Sequence, residues 1–346
     1  MNSSVLEPGV RVLRWGGLSV LLAGRPMRAA VLSGTTLLML CGLAMAAGST
    51  WLGPGDLLTL LRGEASPATA LLVWEFRWPR IVVAMLCGAL LGLAGLLLQT
   101  LMHNRLAAPD LMGVSDGASL AMLLALIAGG TGLLGPWWIA VTGAVGATAL
   151  LLGLSGGIGT RGQRVLVVGL AVAALLHALT ELLLSRQTLQ HAAALYAWSI
   201  GSLQGRGDES VPPLATALAL VAPGCAYLGR RLALLQLDPD LAAALGLSLR
   251  ATQWQALGLA TVAAGLAVAV CGPVAFVALA APLIAVRLAG GGVPCVGAAL
   301  AGAALVLAAD TAGRILLPSA ELPVGVICNL LGGPFLLWLL HRKTTA

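Results

Sequence analysis

An all-α membrane protein of about ten transmembrane helices is the fold class this sequence predicts, and three observations predict it. Of its 346 residues, 59% are hydrophobic and only 9% are charged, whereas a soluble domain is about 25% charged. That leaves too little polar surface to cover a soluble globule. The apolar residues fall in runs long enough to cross a bilayer, about 20 residues at about 1.5 Å each for a core of about 30 Å. One of them, from Ile81 to Leu101, is apolar all round rather than along a single stripe, as a membrane span should be.

Ten such runs lie near residues 31–50, 81–102, 114–133, 136–154, 165–185, 211–229, 252–271, 273–290, 296–317 and 324–340. With lipid around them, their backbone must satisfy itself, so helices are expected throughout. Residues 1–30 read as a cytoplasmic tail. Four arginines (Arg11, Arg14, Arg25, Arg28) precede the first span and no A-x-A-like site follows a short apolar stretch, so no cleavable signal is expected. Residues 31–342 form one transmembrane domain and 343–346 a short C-terminal tail. In the second run, Gly88, Gly92, Ala94 and Gly95 would let neighbouring helices approach closely.

Orientation follows from the basic residues. With the N-terminus inside, 13 of them fall on inner loops and tails and six outside, namely Arg62, Arg77, Arg80, Arg186, Arg206 and Arg314. The bias puts both termini in the cytoplasm. The net charge of +6 is therefore a topology signal. No basic face with interleaved aromatics is present, so no nucleic-acid partner is expected.

Several chemistries are excluded. Lys343 is the only lysine, and Leu340-His341-Arg342 precede it, so no G-x-x-x-x-G-K-[ST] phosphate cradle exists and the chain is not itself a P-loop ATPase. His103, His177, His191 and His341 are scattered, and the six cysteines form no C-x-x-C, so no metal site is expected and the thiols read as small buried hydrophobes. No G-x-S-x-G or comparable nucleophile arrangement appears. The chain is not expected to be an enzyme. Charges inside spans are costly and therefore informative. Candidates are His177 and Glu181 in the fifth run, and Asp310 with Arg314 in the ninth, an i,i+4 pair whose side chains can meet on a helix.

The region from Trp74 to Ala121 carries ordered motifs. Arg77-Trp78-Pro79-Arg80 precedes the Gly/Ala-rich run; Gln99 closes it; Asn104-Arg105-Leu106-Ala107-Ala108-Pro109-Asp110-Leu111-Met112-Gly113-Val114-Ser115-Asp116-Gly117-Ala118 follows. Further on stand Trp198-Ser199-Ile200-Gly201-Ser202-Leu203, then Leu237-Asp238-Pro239-Asp240-Leu241-Ala242-Ala243-Ala244-Leu245-Gly246-Leu247-Ser248. Cys271-Gly272-Pro273 to Pro282-Leu283, Ala309-Asp310 to Arg314, and Glu321-Leu322-Pro323-Val324-Gly325 complete the set. In this order the motifs resemble the permease family of the large ABC importers for iron chelates and cobalamin, over about residues 70–342. Arg105 stands where the family usually has Pro, and Leu283 where it usually has His.

The resemblance implies a permease subunit without covalent chemistry, in the bacterial cytoplasmic (inner) membrane. Its implied partners are a second permease (a paralogue, with a homodimer possible), two cytosolic P-loop ATPases and a soluble substrate-binding protein. No cofactor is implied on this chain; ATP and Mg would sit on the ATPase. Docking of the binding protein falls to Arg77, Arg80 and Arg314. Coupling to the ATPase falls to the segment at about 237–250, through Asp238, Leu241, Ala244, Leu245, Gly246 and Leu247. Pro239 can begin a short helix there and Gly246 can end it. Asn104, Arg105 and Leu106 correspond to an inner gate, facing the turn at Gly162–Arg164. The motifs around Gln99 to Gly113 and Gly201-Ser202-Leu203 lean toward ferric-catecholate, enterobactin-like cargo. Haem and cobalamin stay open. So does an ion-coupled secondary transporter, which would need paired ionisable residues near mid-membrane.

Overall fold

The computed structural model describes residues 10–15, 18–48, 50–129, 136–157, 162–186, 196, 198–317 and 321–343. An antiparallel hairpin opens the chain, β1 (Val10–Trp15) paired with β2 (Leu18–Ala23), with Val10 opposite Ala23 and Trp15 opposite Leu18. The all-α expectation contains no such element. Its strands are rich in Val, Leu and Trp, residues that suit a pleated surface. Gly16 and Gly17 stand between them in sequence, residue types favoured in two-residue hairpin loops.

Helices account for the rest. The first, α1 (Gly24–Ala46), is followed by two short helices, α2 (Pro54–Leu61) and α3 (Pro67–Leu71). Each of these has proline in its first turn, where a missing N–H costs nothing. The Ser66 hydroxyl accepts from the Thr69 N–H at 3.1 Å and caps α3. A π-helical stretch, Leu72–Arg77, runs on into α4 (Trp78–Leu101). Then come α5 (Val114–Ile127), α6 (Trp137–Ser155), α7 (Gly162–Leu184), α8 (Val211–Leu235), α9 (Pro239–Ala244), α10 (Leu249–Cys271), α11 (Val277–Ala289), α12 (Cys295–Ile315) and α13 (Val324–Lys343).

Among the described residues, seven helices are long and apolar enough to cross a membrane, and three shorter apolar ones, α5, α11 and the first part of α13, alternate with them. These occupy the ten expected runs, with corrected bounds: the first is helical over Gly24–Ala46 rather than 31–50, and the sixth extends to Leu235 rather than 229. The third run reaches only Ile127 as helix rather than residue 133. The eighth begins at Val277 rather than 273, because Gly272 and Phe276 take positive φ (71° and 74°) around Pro273 and break the helical path. At 14 and 13 residues, α5 and α11 extend only about 20 Å. Irregular backbone therefore completes the depth, which a membrane tolerates only where protein covers it. The cover is present: a Cβ on Gly169 of α7 would stand 2.8 Å from the Leu111 carbonyl oxygen, and Gly201 and Pro273 lie backbone to backbone.

Helix α4 is the axis of the bundle, with α8, α10, α11 and α12 packed around it. Its glycines make this possible. A side chain at Gly88 would meet the Gly302 backbone of α12, one at Gly92 the Ala298 carbonyl, and one at Gly95 the Ala278 carbonyl of α11. Ala94 is fully buried beside them. This is the close approach expected of small residues spaced three and four apart on one helix face. By contrast α1 lies at the edge, exposing Val31, Leu32, Leu38 and Met39.

Candidate functional site

Two clusters stand out, one at each end of the bundle, along with a polar cavity. At the end away from the arginine-rich loops, here the outer end, the tail of α1, the head of α4 and the tail of α12 converge. Arg80 spreads its guanidinium over two carboxylates. Nε and Nη2 donate to Asp310 Oδ1 at 3.0 and 2.9 Å, and Nη1 donates to Glu321 Oε2 at 2.8 Å. Arg314 pairs with the other oxygen of Asp310 at 3.2 Å and donates to the carbonyls of Ala44 and Ala47. Arg77 donates to the carbonyls of Met45, Ala46 and Thr50 at 2.5, 3.1 and 2.5 Å. Positive charge on the last carbonyls of α1 is favourable, because those groups lack helical partners and form the negative end of the dipole.

The three arginines singled out in the sequence are thus brought together. All three turn inward: Arg77 and Arg314 are buried, and the Arg80 side chain is 14% exposed. Asp310 is 1% exposed, and a carboxylate so deep is tolerable only because two guanidiniums hold it. The expected Asp310–Arg314 pair forms. Sequence reading missed Arg80 as its second partner and missed Glu321 altogether. The Glu-Leu-Pro motif was visible, but 241 residues separate Glu321 from Arg80 and no local signal links them.

At the opposite, inner end, α8 ends near Leu235, whose carbonyl oxygen lies 2.7 Å from His103 Nε2 just past α4. Helix α9 follows. Asp238 caps it by accepting from the Asp240 N–H at 3.0 Å, and Pro239 takes the first position. Gly246 (φ 84°) ends it, with Gly246 N–H donating to Ala243 and Leu247 N–H to Ala242, the pattern of a glycine-terminated helix. Both expected end signals are therefore in use. Ala242 and Leu247 face the bundle and are buried, whereas Leu237, Leu241 and Leu245 are exposed. Leu241 lies within the helix, Leu245 at its C-terminal cap and Leu237 just ahead of its N-terminal cap, so all three exposed leucines belong to one short capped segment. Ala244 and Gly246 are exposed beside them. Of the six residues assigned to coupling, Leu247 is the one turned inward.

The inner-gate residues lie where α4 turns back. Asn104 Oδ1 accepts from the Leu106 N–H at 2.9 Å, an Asx turn that shapes the loop. Arg105 and Leu106 are exposed. The segment expected opposite them, Gly162–Arg164, is the first turn of α7 rather than a free turn. The segment 189–197, which the sequence allows as a short helix outside the membrane core, falls outside the described residues except for Tyr196.

A cavity of about 370 Å³ opens among α5, α7, the residues Tyr196, Ser199 and Ile200, the break before α11, and α13. Asp116, His177, Glu181, Thr180, Ser119 and Asn329 line it. His177 Nδ1 stands 3.4 Å from Asp116 Oδ1. No group of three or more metal-ligating side chains occurs among the described residues.

This architecture has known counterparts. Residues 36–342 match the FecCD transport family. The chain belongs to that family. The ferric enterobactin transport system permease protein of Escherichia coli (strain K12) is 36% identical over 300 residues, covering 86% of this chain and 90% of that protein. The hemin transport system permease protein of Yersinia pestis is 36% identical over 287 residues, covering 78% and 84%. The Fe(3+)-citrate import system permease protein of Bacillus subtilis (strain 168) is 33% identical over 319 residues, covering 91% and 95%. A solved inward-facing structure of a metal-chelate type ABC transporter shares the fold, with a TM-score of 0.81 at 24% identity over 91% of this chain and 99% of that one. The chain is accordingly a multi-pass permease subunit of an ABC transporter, and ATP hydrolysis lies in a partner. The ion-coupled alternative is set aside.

Proposed function

We propose that this chain is one permease of an ATP-driven importer that carries a ferric siderophore into the cytoplasm across a bacterial inner membrane. The observation that carries the proposal is that Leu237, Leu241 and Leu245 are exposed on and beside a short helix capped at both ends. Three leucines held out into water on a rigid turn are a docking surface awaiting a groove. A cytosolic ATPase fills that role, with Asp238 and Gly246 fixing the helix ends and Ala242 and Leu247 anchoring it to the bundle. ATP binding then shifts the population of inward- and outward-open states by contacting one of them better than the other.

A substrate-binding protein docks at the outer end, where Arg77, Arg80 and Arg314 share one cluster. The polar cavity beside Asp116, His177 and Glu181 belongs to the translocation path, completed by a second permease, with a paralogue favoured over a second copy. Asn104, Arg105 and Leu106 close that path on the cytoplasmic side, and Arg105 adds a cation to the gate. Catecholate cargo is favoured by the motifs around Gln99 and by the likeness to the ferric enterobactin permease. Haem and cobalamin form a second reading, favoured by relatives of equal identity named for hemin and vitamin B12 import.

The test is purification of the tagged chain from its own host in mild detergent, followed by mass spectrometry. A stoichiometric P-loop ATPase and a second permease are expected. Recovery of the chain alone under several gentle conditions would refute the importer assignment. Uptake of radiolabelled iron as catecholate, citrate and haem complexes by the reconstituted assembly then ranks the cargo readings.

A further inference from the structure

We infer that Glu321 is a built-in competitor, a carboxylate of this chain that occupies Arg80 until an acidic side chain of the docking protein displaces it. The inference rests on the docking reading above and says how that docking is regulated. Arg80 makes three donor contacts, two to Asp310 and one, through Nη1, to Glu321. The two acids are not equivalent. Asp310 is 1% exposed, sits within α12 and also holds Arg314. Removing it would strand buried guanidinium charge. Glu321 is 37% exposed and stands on the irregular stretch Glu321–Pro323 ahead of α13. Asp310 is the fixed ligand and Glu321 the exchangeable one.

Charge and access point the same way. Three guanidiniums (Arg77, Arg80, Arg314) face two carboxylates in this cluster, and Arg77 is met by carbonyl oxygens rather than an acid. The cluster keeps an excess positive charge that draws an anionic group toward it. Arg80 itself is only 14% exposed, and its Nη1 is covered by Glu321. An incoming carboxylate therefore reaches that atom by replacing Glu321. Exchanging one carboxylate for another preserves a charge-assisted hydrogen bond of the same kind, so release after delivery is as accessible as docking. Affinity is lowered by the fraction of time that Arg80 is free. For a partly exposed pair of ordinary strength that factor is about 1.5- to fivefold.

The experiment uses the complete importer in nanodiscs and the binding protein recovered with it, fluorescently labelled. Its Kd is measured at about 50 mM and about 500 mM NaCl, a range over which exposed charge pairs are progressively screened. Glu321→Gln should tighten binding about 1.5- to fivefold at low salt, with a smaller gain at high salt. Glu321→Ala should act in the same direction. In an Arg80→Gln background, Glu321→Gln should bring no gain. Unchanged or weaker binding by Glu321→Gln, with wild type binding normally, would overturn the competitor role and mark Glu321 as a positioning or contact residue. Absence of any binding protein at the wild-type importer would instead sink the docking reading itself.

Discussion

The outer and inner ends of this bundle present opposite surfaces. Outside, three arginines are folded inward onto Asp310, Glu321 and the last carbonyls of α1. Inside, three leucines are held outward on α9 and at its two ends. A partner at the outer end must compete with contacts the chain already makes, so its net gain is small and its binding depends on salt. A partner at the inner end buries apolar area that has no prior occupant, at about 25 cal/mol per Å². The contrast suits a transporter whose delivery protein comes and goes while its ATPase stays.

The largest effect should come from the inner end. Changing Leu241 and Leu245 together to Asp should reduce ATPase co-purification by about a hundredfold or more, the scale of losing central anchors in an interface. Both residues are exposed, so thermal unfolding of the permease alone should stay close to wild type. Retained ATPase would break the comparison at its strongest point.

Next is the arginine cluster, where the structure separates residues that look alike in sequence. Arg77→Ala should lower the amount of folded permease, because the part-buried carbonyls of Met45 and Thr50 lose the guanidinium donor that ties the end of α1 to α4, at about 1.5–3 kcal/mol for a hydrogen bond to a charged group. Arg80→Glu should abolish stimulation of ATP hydrolysis by the binding protein, since it places a third acid beside Asp310 and Glu321. Fluorescence-detected size exclusion of each variant, set beside stimulated ATPase rates, distinguishes a folding loss from a docking loss. Normal folding of Arg77→Ala would remove it from the structural side of the cluster.

Much of this was legible in the residues. The Gly88, Gly92 and Gly95 spacing announced a helix that others approach closely, and the backbone of Gly302, Ala298 and Ala278 does so. Asp238, Pro239 and Gly246 marked the ends of α9 because caps are local signals. Asp310 and Arg314 were readable as a pair because one helical turn separates them. What escaped was long-range or irregular. Arg80 finds Asp310 across 230 residues, and no period or motif encodes that meeting. The early end of α5 and the late start of α11 escaped because hydropathy reports burial in lipid or protein but not φ and ψ. Phe276 at φ 74° looks in sequence like any other apolar residue. The outward leucines of α9 were half legible: the helix was expected, but not that Leu247 would turn in while Leu241 and Leu245 turned out.

A smaller effect sharpens the shared core that both ends rely on. Gly95→Ala should cut the yield of folded protein, because its Cβ would overlap the Ala278 carbonyl, and backbone has no rotamer to yield. Gly146→Ala, in open space on α6, should be neutral or slightly stabilising. Equal melting temperatures for the two variants would contradict the placement of α4 as the packed axis.

The most direct measurement is a salt titration of one assembled importer in nanodiscs, with binding protein and ATPase labelled in different colours. Raising NaCl from about 50 mM to about 1 M should weaken the outer association tenfold or more, as screening overtakes exposed charge pairs, and leave the ATPase in place. Loss of the ATPase first, or equal loss of both, would contradict the account that one end docks by exchanged charge and the other by buried leucines.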